Sequence, residues 1–204
     1  MKQALFALVA ATALATYTAC TPVEGSAKVG APAPAFSLVD TNGKNYSLDG
    51  LKGKYVVLEW LNHDCPYVKK HYDSGNMQKL QKEMGARGVV WLSVNSSAEG
   101  KQGHFKQPKA NQLTKSKGAT PEAVLLDWDG KVGRAYGART TPHMYIIDPA
   151  GKLIYQGAID DTPSTSKADV KSAKNYVAQA MGEALAGQPV SQPSTKAYGC
   201  SVKY

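Results

Sequence analysis

Tyr55-Val-Val-Leu-Glu-Trp-Leu-Asn-His-Asp-Cys-Pro-Tyr-Val-Lys-Lys-His-Tyr72 is the stretch on which the reading of the chain turns. Its opening run, Tyr55–Leu58, is apolar and rich in β-branched residues, the composition of a strand buried on both faces. Asn62-His63-Asp64 is a polar turn, and Cys65-Pro66 opens a stretch that continues as a helix. Proline suits a helix's first turn because the N–H it lacks would be unpaired there. Cys65 therefore stands at or just before a helix N-terminus, where free N–H groups and the macrodipole favour an anion. Lys69, Lys70 and His71 follow within two turns. Surroundings of this kind lower a thiol's pKa, so Cys65 is expected to be a reactive thiolate and not a small buried hydrophobe.

Outward from this stretch the pattern alternates. The helix over about Pro66–Gly85 is interrupted at Ser74-Gly75-Asn76, and Gly88–Asn95 is a second apolar strand. Ser96–Gln107 reads as loop and Pro108–Ser116 as helix, stopped by Gly118 with Pro121 beyond. Ala123–Leu126 is a strand and Asp129–Tyr136 a short helix. Met144–Asp148 and Leu153–Gly157 are two strands joined at Pro149-Ala150-Gly151. Asp160–Asp169 is a loop insertion, and Val170–Ala186 a helix closed by Gly187. Upstream, Asn42-Gly43 between two short strand-like pieces signals a hairpin. Strands alternating with helices and ending in a hairpin predict an α/β layered sheet. Gln188–Tyr204, rich in Pro, Ser and Thr, is a tail that is either mobile or tied down by its cysteine.

The N-terminus reads as a targeting segment. Met1-Lys2-Gln3 is a short positive start, and the uncharged Ala4–Thr16 falls short of the roughly 20 residues that span a bilayer. Tyr17-Thr18-Ala19-Cys20 resembles a lipobox with Cys20 as the lipidated residue, while Gly25-Ser26-Ala27 offers a soluble-export cleavage site. Three parts follow: a signal segment with short linker over 1–27, one domain over 28–187, and the tail over 188–204. The expected location is exported and periplasmic, with membrane contact only through a lipid anchor. With 204 residues and 43% hydrophobic content the chain can bury a single substantial core. Its net charge of +8 is spread without a basic block, so no nucleic-acid partner is expected.

Three cysteines are present, Cys20, Cys65 and Cys200. Once Cys20 is removed or lipidated, two remain in a disulfide-permissive space. They form either a permanent staple or a redox pair that cycles. Four histidines complete the inventory of soft ligands: His63, His71, His104 and His143. Cys65, His63 and His143 make a weak candidate set for Cu(I) or Zn, lacking a ligand pair close in sequence.

Three motifs carry a resemblance: Val29–Leu38 with Asp40-Thr41-Asn42-Gly43, Glu59–Pro66, and Thr141-Pro142-His143-Met144-Tyr145-Ile146-Ile147-Asp148. Over roughly Val29–Gly157 the chain resembles the peroxiredoxin-like redoxins of the thioredoxin superfamily. The ending Tyr198–Tyr204 is similar to that of a less characterised subgroup. The resemblance implies a thioredoxin-like fold, a central mixed sheet flanked by helices with a C-terminal helix and tail. It also implies a cis Pro142 whose loop faces the active cysteine. The chain departs from the relatives at instructive places. Cys65-Pro66-Tyr67-Val68 has no second thiol where thioredoxins have Cys-x-x-Cys. Leu58 and Asn62 stand where a peroxiredoxin has proline and threonine.

The expected function is an exported thiol–disulfide oxidoreductase or peroxiredoxin-like antioxidant protein. Cys65 attacks a peroxide or a partner disulfide and Cys200 resolves it. Asn62, His63, Pro66, Thr141, Pro142 and His143 line the site, and Arg139 steadies the anion. No nucleotide, flavin or haem is indicated. A copper-binding redoxin and a redox-inactive interaction module are the rival readings.

Overall fold

The computed structural model describes residues 27–204. Residues 1–26 of the proposed signal segment and linker, Cys20 among them, lie outside the described residues. Among those described, no helix is long and apolar enough to cross a membrane.

A short hairpin comes first, β1 (Ser37–Val39) antiparallel to β2 (Asn45–Ser47). Asp40 braces its turn by accepting from the N–H groups of Asn42 and Lys44, both at 2.8 Å. Then follow β3 (Val56–Trp60), α1 (Pro66–Asp73), α2 (Asn76–Ala86) and β4 (Val90–Asn95). After these come α3 (Gln107–Ser116), β5 (Ala123–Leu126), α4 (Lys131–Tyr136) and β6 (Thr140–Thr141). The chain ends with β7 (His143–Ile147), β8 (Leu153–Gly157), α5 (Tyr176–Leu185) and β9 (Cys200–Ser201). The central sheet runs β5-β4-β3-β7-β8, with β3, β4 and β5 parallel and β7 and β8 antiparallel. This is the mixed sheet that the resemblance implies, and β3 is buried along its whole length.

Strand alternation divides the core into two layers. Val56, Leu58 and Trp60 of β3 join Leu92, Val94, Tyr136 and Tyr145 on one face. On the other face Val57 packs with Trp91, Met144 and Ile146 beneath α1, α2 and α5. The break between α1 and α2 falls where expected, because Gly75 adopts a left-handed φ of 79° as the cap of α2.

The last helix begins later than predicted. Lys167–Lys171 forms a 3-10 turn, and α5 starts at Tyr176, where the Asn175 side chain caps it by accepting from the Ala178 N–H at 2.9 Å. The tail is tied down along its course. Thr195 N donates to Gln156 O, and its hydroxyl lies 2.7 Å from the Tyr155 hydroxyl. Farther on, β9 pairs antiparallel with β6, and Tyr204 OH donates to Ala138 O at 2.7 Å.

Candidate functional site

Cys65 is the N-cap residue of α1, with Pro66 in the first turn, as the sequence predicts. Its position is built by Asn62. The Asn62 carbonyl accepts from Cys65 N at 3.1 Å, and its side-chain oxygen accepts from Asp64 N at 2.9 Å. Asn62 is buried and its amide reaches Gln102 O, so the turn is locked against the loop after β4. Gly103 makes that approach feasible, because a Cβ there would collide with the Asn62 side chain.

The Thr141–Pro142 peptide is cis, and both residues are buried. This loop faces Cys65: the Cys65 sulphur lies 3.0 Å from the Thr141 carbonyl oxygen. Cys200 arrives on β9, in register with Thr141. Its sulphur is 2.7 Å from that of Cys65, and both residues are free thiols. Gly199 allows the approach, since a Cβ there would run into the Thr141 carbonyl. Cys65 is 0% exposed, whereas Cys200 is partly exposed.

The two thiols have unequal affinities for their protons. Burial works against ionising Cys65, but the Cys200 thiol and the backbone N–H groups of Val68 and Cys200 outweigh it. Its pKa therefore lies below the ordinary cysteine value. Burial pushes Cys200 up to about 11, and the neighbouring Cys65 adds to the rise. Of the two, Cys65 is therefore the more acidic thiol and Cys200 the one that holds its proton more tightly.

The basic residues after Cys65 do not produce this difference. Lys69 is exposed, and Lys70 is buried in an ion pair with Asp160 at 3.2 Å. His71 is buried, which holds it neutral with its pKa lowered to about 4. Burial rather than solvent thus surrounds two of the three polar side chains, because the Asp160 loop and the tail cover that face of α1.

His143 and Arg139 are corrections to the expected lining. His143 is paired with Trp60 across β3 and β7, so it shares Trp60's face and not that of α1. Its ring packs on Tyr145 at 4.6 Å, and its Nδ1 accepts from Arg139 N at 3.3 Å. The Arg139 side chain is exposed, and its charge helps to lower the His143 pKa to about 4, after the larger effect of burial. His63 is buried against Tyr72, with ring centroids 5.4 Å apart. The Cys65, His63 and His143 trio is therefore split by the sheet. No group of three or more His, Cys, Asp or Glu suited to a metal occurs among the described residues.

One polar node escaped the sequence reading. Glu59, inside the apolar strand β3, is fully buried. Its carboxylate accepts from Tyr72 OH and Trp91 Nε1, each at 2.9 Å, from Ser93 Oγ at 3.0 Å and from Gln81 Nε2 at 3.3 Å. Burial raises its pKa despite these donors. A lone carboxylate in the run Val57-Leu58-Glu59-Trp60-Leu61 was the available signal, since such a charge is almost never buried without partners.

The family model described as Redoxin matches residues 28–177, and the chain belongs to that family. It is 32% identical over 150 residues to the thiol-disulfide oxidoreductase ResA of Bacillus subtilis (strain 168), covering 74% of this chain and 78% of the relative. It is also 32% identical over 113 residues to a protein named as a peroxiredoxin, bcp, from Coxiella burnetii, covering 55% of this chain and 68% of that one. In fold it is similar to an uncharacterised conserved protein from Geobacillus kaustophilus, with a TM-score of 0.73 and 24% identity over 87% of this chain and 92% of that one.

Proposed function

We propose that this redoxin is an exported thiol–disulfide oxidoreductase whose working redox pair is Cys65 and Cys200. The observation that carries the reading is the approach of the two sulphurs to 2.7 Å across 135 positions of sequence. The cycle begins when the Cys65 thiolate attacks one oxygen of a peroxide. The O–O bond breaks, water or an alcohol leaves with a proton, and the sulphur is oxidised to sulfenic acid. The Cys200 thiol then attacks that sulphur, the S–O bond breaks, and water leaves as the Cys65–Cys200 disulfide forms. A partner dithiol reduces the disulfide in two exchange steps and is itself oxidised.

Burial selects among oxidants. With the tail docked, Cys65 is 0% exposed, so any oxidant reaches it only after the tail shifts, and a peroxide needs a smaller opening than a folded partner's disulfide. Exchange with a protein partner passes through Cys200, the partly exposed residue of the pair. Attack there expels Cys65, the better leaving group because its thiol is the more acidic. Thr141 shapes the pocket through its carbonyl, and Asn62 through the turn it holds. Export is supported by the N-terminal segment, which reads as a targeting signal, and it suits a pair that would cycle through a disulfide.

The test treats reduced protein with one equivalent of hydrogen peroxide, followed by digestion without reductant and mass spectrometry. The Cys65–Cys200 peptide should dominate, and Cys200→Ser should leave Cys65 open to over-oxidation. Equal over-oxidation of Cys65 in wild type and variant would remove Cys200 from the mechanism.

A further inference from the structure

A buried polar network sits between α1 and the tail, and the chemistry above does not use it. Lys70 is 1% exposed and His71 is 0% exposed, both on the helix that carries Cys65 at its start. The Lys70 ammonium has three protons to donate. Asp160 Oδ2 takes one at 3.2 Å, Thr162 O another at 2.7 Å, and the Tyr198 hydroxyl the third at 3.4 Å.

Tyr198 is the tail's contribution. Its hydroxyl donates to Asp160 Oδ1 in a short hydrogen bond and lies 3.3 Å from His71 Nε2. The His71 ring is oriented from its other side, where Nδ1 accepts from Asn76 Nδ2 at 2.9 Å. That leaves a proton on His71 Nε2 to be given to the Tyr198 hydroxyl. A phenol has one proton to give and two lone pairs to receive with. With Asp160 as acceptor and Lys70 and His71 as donors, this one is fully used.

The placement of Tyr198 links the network to the thiols. Only Gly199 separates it from Cys200. Its ring meets Tyr67 of α1 edge-on, with centroids 5.7 Å apart. Cys200 is thereby held from both sides, by Tyr198 against α1 and by β9 against β6. If the tail lifted, Lys70, His71 and Asp160 would each lose the Tyr198 hydroxyl, and water entering behind the tail would have to replace it. Apolar side chains would pack such a face without that sensitivity. A network completed by the Tyr198 hydroxyl ties the stretch of tail next to Cys200 to α1.

We infer that Tyr198 is the positioning residue of the disulfide step, its hydroxyl completing the Lys70–Asp160–His71 network as a latch that holds Cys200 on Cys65 and closes Cys65 to bulky partners. The inference rests on the reading in which Cys200 resolves Cys65. It goes further by stating what sets the effective concentration of Cys200 and what must open before a large molecule reaches the thiol.

The test uses the full chain and Tyr198→Phe, which keeps the ring and its packing on Tyr67 and removes only the hydroxyl. Lys70→Met, which keeps the length of the side chain, is the second variant. One readout is the rate at which a bulky maleimide alkylates Cys65 in the reduced protein. The other is the equilibrium of the Cys65–Cys200 disulfide against glutathione. Both variants should expose Cys65 about tenfold faster or more, and the disulfide equilibrium constant should fall about tenfold, about 30 mV for a two-electron couple. A purely structural role would lower the melting temperature and leave the potential unchanged. Wild-type values for both readouts in Tyr198→Phe would overturn the latch while a disulfide in wild type keeps the underlying reading standing. If wild type forms no Cys65–Cys200 disulfide, that reading fails. The maleimide rate alone then decides the latch: faster in Tyr198→Phe supports it, and equal rates overturn it.

Discussion

Gly199→Ala is the most direct perturbation of the geometry that brings the thiols together. Gly199 has φ +139°, a backbone region that side-chain-bearing residues rarely enter. A Cβ there would also press on the Thr141 carbonyl oxygen, an atom that cannot yield without moving the cis-proline loop. Strain of this backbone type costs about 1–3 kcal/mol, and the collision adds to it. Relief comes by lifting β9 off β6, which withdraws Cys200 from Cys65. At about 1.4 kcal/mol per factor of ten, the equilibrium for closing the pair should fall roughly 5- to 150-fold. The assay is equilibration with glutathione followed by acid quench, alkylation and unreduced peptide mapping of the Cys65–Cys200 fraction. Gly43→Ala is the control, because Gly43 also has a positive φ of 84° but nothing within 4 Å of its side-chain direction and lies on the β1–β2 hairpin. It should lose stability and keep the wild-type redox equilibrium. A folded Gly199→Ala protein with an equilibrium within twofold of wild type would refute the claim that β9 delivers Cys200.

Other expectations follow from the same interactions. The alkylation midpoint of Cys65 should lie below 9.0 in wild type and rise in Cys200→Ala, which loses the largest of the donors that lower it; Lys69→Ala should leave it in place, and the reverse pattern would restore the basic residues as its cause. His63, with its pKa lowered from 6.5 to about 4, binds its proton in the unfolded chain before the folded one. Its stabilising contribution is complete above pH 6.5 and lost as the pH falls through about 4. At about 1.36 kcal/mol per pH unit, His63→Gln should shrink the stability difference between pH 7 and pH 4.5 by about 2–3 kcal/mol, read by urea unfolding, and an unchanged difference would contradict a buried neutral His63. Asn62→Ala should cost about 1–3 kcal/mol by leaving Asp64 N without its partner, and should speed proteolysis at the loop carrying Gln102 and Gly103; a fully stable variant would count against Asn62 as the lock on the turn.

The fold was legible because its signals are local. Pro66 after Cys65, Asn42-Gly43, Gly75 and Gly187 each act over a few residues, and each falls at an element boundary in the structure. The start of α5 was misplaced because Val170–Lys174 carries no strong breaker, while Asn175, a cap residue, sits inside the predicted run. In the site, strand parity could have excluded His143, since it lies one residue from Met144, which packs beneath α1. Lys70 and His71 were harder to read. Adjacent polar residues on a helix ordinarily face water, and these are buried only because a loop ninety positions away and the tail both fold over them. Nothing near them in sequence announces Asp160 or Tyr198.

The position of the second thiol has a consequence for how this redoxin is built. In Cys-x-x-Cys the partner sits in the same helical turn, and the position that would hold it here is Val68, buried in the core. On the proposed mechanism this chain instead draws its partner from 135 positions away. The entropy of closing so long a loop grows only as the logarithm of its length, so distance in sequence is a weak obstacle. The stronger requirement is holding a tail end in one register, and four separate attachments meet it. Thr195 fixes the tail beside β8, Tyr198 ties it to α1, Val202 N donates to Arg139 O, and Tyr204 donates to Ala138 O. These contacts form in the reduced protein, so the cost of ordering the tail is met by folding before the thiols react. On the proposed mechanism, closing the disulfide then needs only a small local movement. Access for a large partner needs the release of attachments spread along the tail, and on the proposed mechanism that asymmetry favours closure within the chain over exchange outside it.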